Sequence, residues 1–113
     1  MSDATAGTRA AKLTYNTTTT VEFDERLLAH LHVVIAAKLS RGEGFEFSWT
    51  TDPSAGSGRD TLWIGPGIPV EFRYYSNKRP SINPAWLTAL METAQLTGGL
   101  RVVPEPTDRT LQG

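Results

Sequence analysis

Apolar and polar residues alternate around Leu13 and Tyr15 and again around Val21 and Phe23, and the stretch Asn16 to Thr20 between them is turn-like. Period-two alternation on both sides of a turn predicts a β-hairpin with one buried face. The period then changes. Asp24 stands where a helix N-cap is wanted, Glu25 falls in the first turn, and Leu27, Leu28, Leu31, Val34, Ile35 and Leu39 follow at helical spacing. A carboxylate at the cap accepts from first-turn N–H groups, and steps of three and four gather the apolar side chains on one stripe. The helix is predicted to end at Gly42 and Gly44, just after Arg41. Burying six such side chains contributes on the order of 10 kcal/mol of gross transfer energy, most of it offset by lost entropy.

Phe45, Phe47 and Trp49 alternate with Glu46, Ser48 and Thr50, the pattern of a strand with one buried face. Turn formers from Thr51 to Asp60 break it, Leu62 and Ile64 flank Trp63 in a second strand, and Gly65 to Pro69 turns the chain into a third. There Val70, Phe72 and Tyr74 alternate with Glu71, Arg73 and Tyr75. A loop over 77–81 leads to Asn83 as N-cap and Pro84 at the first helical position, with Ile82 and Leu87 spaced as a hydrophobic staple. Trp86, Leu87, Leu90, Met91 and Ala94 form the stripe of this second helix, which Gly98-Gly99 stops. Leu100, Val102 and Val103 add a short edge strand before Pro104.

The order is therefore strand, strand, helix, three strands, helix and a last short strand, an α+β chain without internal repeat. Short hairpin connections predict a single, mainly antiparallel sheet of five or six strands, and two one-sided helices predict that both cover one of its faces. The other face is expected to be partly wet. Residues 1–11 and 104–113 carry almost no bulky apolar side chains and read as flexible tails around a single domain at 12–103.

At 113 residues the chain is long enough to bury roughly 60 to 70% of its unfolded surface around one core. Its 11 Lys and Arg nearly cancel its 12 Asp and Glu, so no global field attracts a polyanion or an anionic membrane. Without cysteine there are no disulfides, thiolate nucleophiles or cysteine-ligated metal sites. Met1 to Ala11 has neither the apolar segment of a secretion signal nor that of a membrane anchor, and a cytoplasmic protein is expected.

Candidate chemistry is sparse. His30 and His32 lie two apart on a helix, about 200 degrees around its axis, where they do not easily share a metal. No serine sits in a G-x-S-x-G context, which argues against a hydrolase elbow. Glu46 and Glu71 lie on strands and read as solvated face charges rather than an acid and base pair. The loop from Ser54 to Arg59 has glycines and a base but lacks the Lys-Ser/Thr ending of a phosphate cradle. No cofactor and no metal are expected. The most suggestive set is Trp63, Arg73, Tyr75, Lys78 and Arg79, which alternation and loop position place on the polar side of the sheet. Aromatic rings beside cationic groups anchor a protein partner, or stack bases and hold phosphates.

Several segments carry a resemblance to a known family. They are Lys12-Leu-Thr-Tyr15, the helix Asp24-Glu-Arg-Leu-Leu-Ala-His-Leu-His-Val-Val-Ile35, and Lys38-Leu-Ser-Arg-Gly-Glu43 running into Phe45-Glu-Phe-Ser-Trp49. Leu62-Trp-Ile64, Arg79-Pro-Ser-Ile-Asn-Pro-Ala-Trp-Leu87 and Gly98-Gly-Leu-Arg-Val-Val-Pro-Glu-Pro106 continue it. Over roughly residues 12–106 the chain resembles a small uncharacterised actinobacterial family whose members often bear the label ATP-dependent DNA ligase. The residues do not support that label. Ligase chemistry through a lysyl-adenylate needs a Lys-x-Asp-Gly motif, and none of Lys12, Lys38 or Lys78 is followed by x-Asp-Gly. What the resemblance implies is at most a link to DNA ligation or repair as an accessory piece.

Two function classes follow. The first is a non-catalytic binding or interaction module that takes a protein partner, or a second copy of itself, through the exposed sheet face. The second is a weak nucleic-acid-binding accessory protein using Arg73, Lys78 and Arg79, with Arg41, Arg59 and Arg101 in support. An enzyme of unrecognised type stands behind both, and no enzymatic activity is expected.

Overall fold

The structure is a computed structural model and describes residues 10–50, 59–97 and 99–106. In chain order the elements are β1 (Ala10–Tyr15), β2 (Thr19–Asp24), α1 (Glu25–Ser40), β3 (Phe45–Thr50), β4 (Arg59–Ile64), β5 (Val70–Arg73), α2 (Pro84–Thr97) and β6 (Gly99–Arg101). The α+β class and the element order read from the pattern are those observed. The chain forms two compact units, one built from the residues up to Gly44 with Gly65–Ile82, the other from Phe45–Ile64 with Asn83 onward.

In the first unit β1 is central, with β2 and β5 antiparallel on either side. Leu13 faces Val21 and Phe72 across the two ladders, and Ala11 faces Phe23, which puts the apolar side chains of all three strands on one face. Helix α1 lies against β1 and β2 and buries Leu28, Leu31, Val34 and Ile35. Its start is the expected one: the Asp24 carboxylate accepts from the N–H of Leu27 at 3.2 Å. Its end is a Schellman motif. Gly42 takes φ +76°, its N–H donates to Leu39 O, and the Glu43 N–H reaches back to Lys38 O. The Lys38 ammonium, largely buried, then meets the Glu43 carboxylate at 3.0 Å.

In the second unit β3 is central, antiparallel to β4 and parallel to β6. Phe47 sits between Leu62 and Leu100, and Phe45 opposite Ile64. Trp86, Leu90 and Ala94 of α2 are buried, with Phe45, Phe47, Ile64 and Leu100. Asn83 caps α2 through its side-chain oxygen, which accepts from Ala85 N–H at 3.0 Å. The chain beyond β6 is fastened to this helix: the Trp86 indole N–H donates to Val103 O at 2.8 Å, and the Asn83 amide donates to Glu105 and to Pro106 O.

The expectation of a single five- or six-stranded sheet with both helices on one face is not met. There are two sheets of three strands, and each third strand pairs with the first strand of its own unit's hairpin. The turn after β4 explains the first sheet. Ile68 N–H closes it on Gly65 O, Pro69 O accepts from Asn16 N–H at 2.8 Å, and the Tyr15 to Val70 pairing begins there, so β5 is handed to β1 instead of extending β4. Most of both expected tails, 1–9 and 107–113, and most of the 51–60 loop lie outside the described residues.

Candidate functional site

Helix α1 carries a second stripe, on a different side from its core stripe. Ala29, His32, Val33, Ala36 and Ala37 recur at steps of three and four and line a cleft of about 820 Å³. The opposite wall is the end of β5 and the loop that follows it, with Phe72, Tyr74, Lys78, Arg79, Pro80 and Ile82 among its residues. Every residue of the cleft belongs to the first unit. The volume lies within the roughly 300 to 1,000 Å³ of small-molecule sites.

Three ties hold the loop wall against α1. The buried carboxylate of Glu25, in the first turn, accepts from the backbone N–H groups of Tyr75 at 3.0 Å and Ser76 at 2.9 Å. One turn-start position later, Arg26 donates to Ser81 O at 2.7 Å. The third tie is Tyr74, whose phenol donates to Leu28 O at 3.3 Å. Between Tyr75 and Arg79 the turn is closed locally, with Ser76 Oγ accepting from Lys78 N–H and donating to Lys78 O.

His32 sits at the centre of this arrangement. Its ring lies flat on Phe72, centroids 4.0 Å apart and planes within 4°, and Nδ1 is 3.0 Å from the Tyr74 oxygen. Because that phenol gives its proton to Leu28 O, the geometry assigns the Nδ1 proton to His32, and Nε2 keeps a lone pair. Nε2 has no hydrogen-bond partner among the described residues. Desolvation by the covering rings, reinforced by the Arg79 charge, lowers the imidazole below its usual 6.5. Burial, and then the negative charge of Glu25, push the Tyr74 phenol up to about 12 against a smaller opposite effect of Arg79. The pair is thus a neutral imidazole on a neutral phenol at physiological pH.

Two cations and two exposed apolar side chains complete the cleft. Neither Lys78 nor Arg79 forms a hydrogen bond through its side chain or an ion pair with a described residue. Val33 and Ile82 are 43% and 41% exposed, two of the four large apolar side chains that face solvent among the described residues, which marks the cleft as exposed apolar surface. Ile82, read from spacing as half of a staple, lines this wall.

The residues singled out from the pattern are dispersed by the fold. Trp63, 54% exposed, stands on β4 in the second unit, opposite Glu46. Arg73 belongs to the polar face of the first sheet, opposite Lys12, which in turn faces Glu22. Tyr75 is half exposed beside the Glu25 tie. Lys78 and Arg79 alone line the cleft. His32, Phe72 and Tyr74 were missing from that set, Tyr74 because alternation placed it on the core side. The signal for them was the second stripe of α1: a one-sided surface helix should be polar where Ala29, Val33, Ala36 and Ala37 stand. His30 differs from His32, being fully buried with Nδ1 2.8 Å from Arg26 O. Among the described residues no three of His, Cys, Asp and Glu come together as a metal would need, and no helix is long and apolar enough to cross a membrane.

A domain of unknown function, DUF7882, covers residues 10–105, and the chain belongs to this family. No curated protein and no solved structure matches it.

Proposed function

We propose that this member of the DUF7882 family is a non-catalytic binding module, and that its ligand is taken in the cleft between α1 and the 72–82 segment. The observation that carries this reading is the composition of the cleft. Apolar side chains that a folded domain normally covers are exposed beside an imidazole nitrogen, a guanidinium and an ammonium without partners among the described residues. An apolar hollow with a few convergent polar groups is the usual form of a binding site. Nothing in it forms a nucleophile and base pair: Tyr74 is held as a phenol, and the hydroxyl of Ser76 is spent on its own turn. The absence of a Lys-x-Asp-Gly motif likewise supports a role other than ligation. The polar face of the first sheet favours a nucleic acid less, since Glu22, Lys12 and Arg73 lie side by side and Glu71 is opposite Thr14.

The test is an amide chemical-shift titration with 2-naphthylmethanol, a neutral apolar probe. Saturable shifts confined to α1 positions 29–37 and to 72–82, lost in Val33→Asp, are expected. Val33 is exposed, so this variant should fold. Shifts that never saturate, or that fall elsewhere, would remove the cleft from consideration.

A further inference from the structure

We propose that the cleft is built for an apolar carboxylic acid bound as its anion, with the carboxylate held between the Arg79 guanidinium and Nε2 of His32, which takes up a proton from solvent as the ligand arrives. The inference rests on the cleft being the binding site and adds the class of ligand and the residues that select it.

The charge complementarity is local and one-sided. Arg79 and Lys78 are the charged residues lining the cleft, and the Glu25 carboxylate that ties the loop wall is buried and turned to the amides of Tyr75 and Ser76. A guanidinium matches a carboxylate with two parallel donors. Beyond the polar Ser76 and Asn77 of the loop wall, the lining is mostly apolar, with Ala29, Val33, Ala36, Pro80 and Ile82 among it, which suits the body of such an acid better than a sugar or a free phosphate.

His32 supplies the second arm. With Nδ1 given to Tyr74, only Nε2 remains to meet a ligand, and as a lone pair it repels a carboxylate oxygen; protonated, it donates to one. The charged and titratable groups on the elements around it are Glu25 and Arg26 in the first turn of α1, and Tyr74, Lys78 and Arg79 on the facing segment. Burial first, and then the Arg79 charge, lower the imidazole below its ordinary value. An anion on Arg79 cancels that repulsion and adds an attraction, so the imidazolium is favoured when the ligand is bound. By linkage, affinity rises as pH falls from about 7 toward 5.

The experiment compares 2-naphthoate, 2-naphthylmethanol and inorganic phosphate by calorimetry and amide shifts on the full chain. The naphthoate should bind about tenfold or more tightly than the alcohol, and Arg79→Gln should bring the two to parity. Arg79 is exposed, and its side chain has no hydrogen-bond or ion-pair partner among the described residues, so the variant should keep its fold. Heats measured in two buffers of different ionisation enthalpy should show net proton uptake for the naphthoate alone, abolished in His32→Asn. Equal binding of acid and alcohol within the cleft would overturn this inference and leave the cleft as the site. Phosphate binding as tightly as the naphthoate, or naphthoate binding without proton uptake, would also overturn it. Failure of every probe to shift cleft residues would overturn both readings.

Discussion

Nδ1 of His32 lies 3.0 Å from the phenol oxygen of Tyr74, so that a helix and a strand end 42 residues apart in sequence share one proton-bearing contact at the mouth of a cleft. Tyr74 passes its own proton back to Leu28 O on the same helix. The two bonds fix the imidazole tautomer and seat its ring on Phe72.

The pH dependence of this contact has a definite sign. The pKa of His32 is lower folded than unfolded, so between them the unfolded chain binds more protons. The stability associated with the neutral ring is fully present above about pH 6.5 and declines as the pH falls toward the folded-state value. A ring C–H titration by NMR should give a midpoint below 6.5 for His32. In His32→Asn, the part of the stability loss between about pH 7 and 5 that His32 causes should disappear from urea-unfolding midpoints. A midpoint above 6.5 would contradict the stacked, neutral geometry.

Glu25 is one of the three ties that hold the loop wall. Its carboxylate accepts two backbone N–H groups in a buried position, and Glu25→Ala leaves both without a partner. Unfolding by denaturant should show a loss of about 2 to 3 kcal/mol. Glu25→Gln keeps one acceptor oxygen and should lose about half of that. Hydrogen exchange at the Tyr75 and Ser76 amides, accelerated in Ala and nearly unchanged in Gln, would separate this tie from a general loss of stability.

The β1–β2 hairpin carries strain that can be removed. Asn16 and Thr17 both adopt positive φ, +53° and +64°, which Asn tolerates and a β-branched residue resists. Thr17→Gly should raise the thermal midpoint, with a gain of about 1 kcal/mol. No gain would mean that the turn relaxes without cost.

Asn83 has two separable duties. Its oxygen caps α2 while its amide holds Glu105 and Pro106. Asn83→Ala should lose both, about 2 kcal/mol in all. Asn83→Asp keeps the cap but sets a carboxylate against Glu105. Hydrogen exchange at the Val103 and Glu105 amides should then accelerate in the Asp variant while α2 keeps its helical signal.

What the sequence determined by itself is local. Asp24, Gly42 and Asn83 mark helix boundaries because capping is a matter of a few neighbouring backbone groups, and the strand alternations hold because a strand with one buried face must repeat every two residues. Strand partnership was decided only in the tertiary structure. Alternation states which side of a strand is apolar and is silent about which neighbour completes the ladder, so the short turn over 65–69 made β5 read as the next strand of one sheet, whereas it pairs with β1. The site depended on the same choice. Trp63 and Arg73 share a pattern but not a unit, whereas Phe72 and Tyr74, read as core, come to lie on the second stripe of α1 because β5 joins β1 at its edge. A cleft arises between elements distant in the chain, and only their pairing brings His32, Tyr74 and Arg79 to one place.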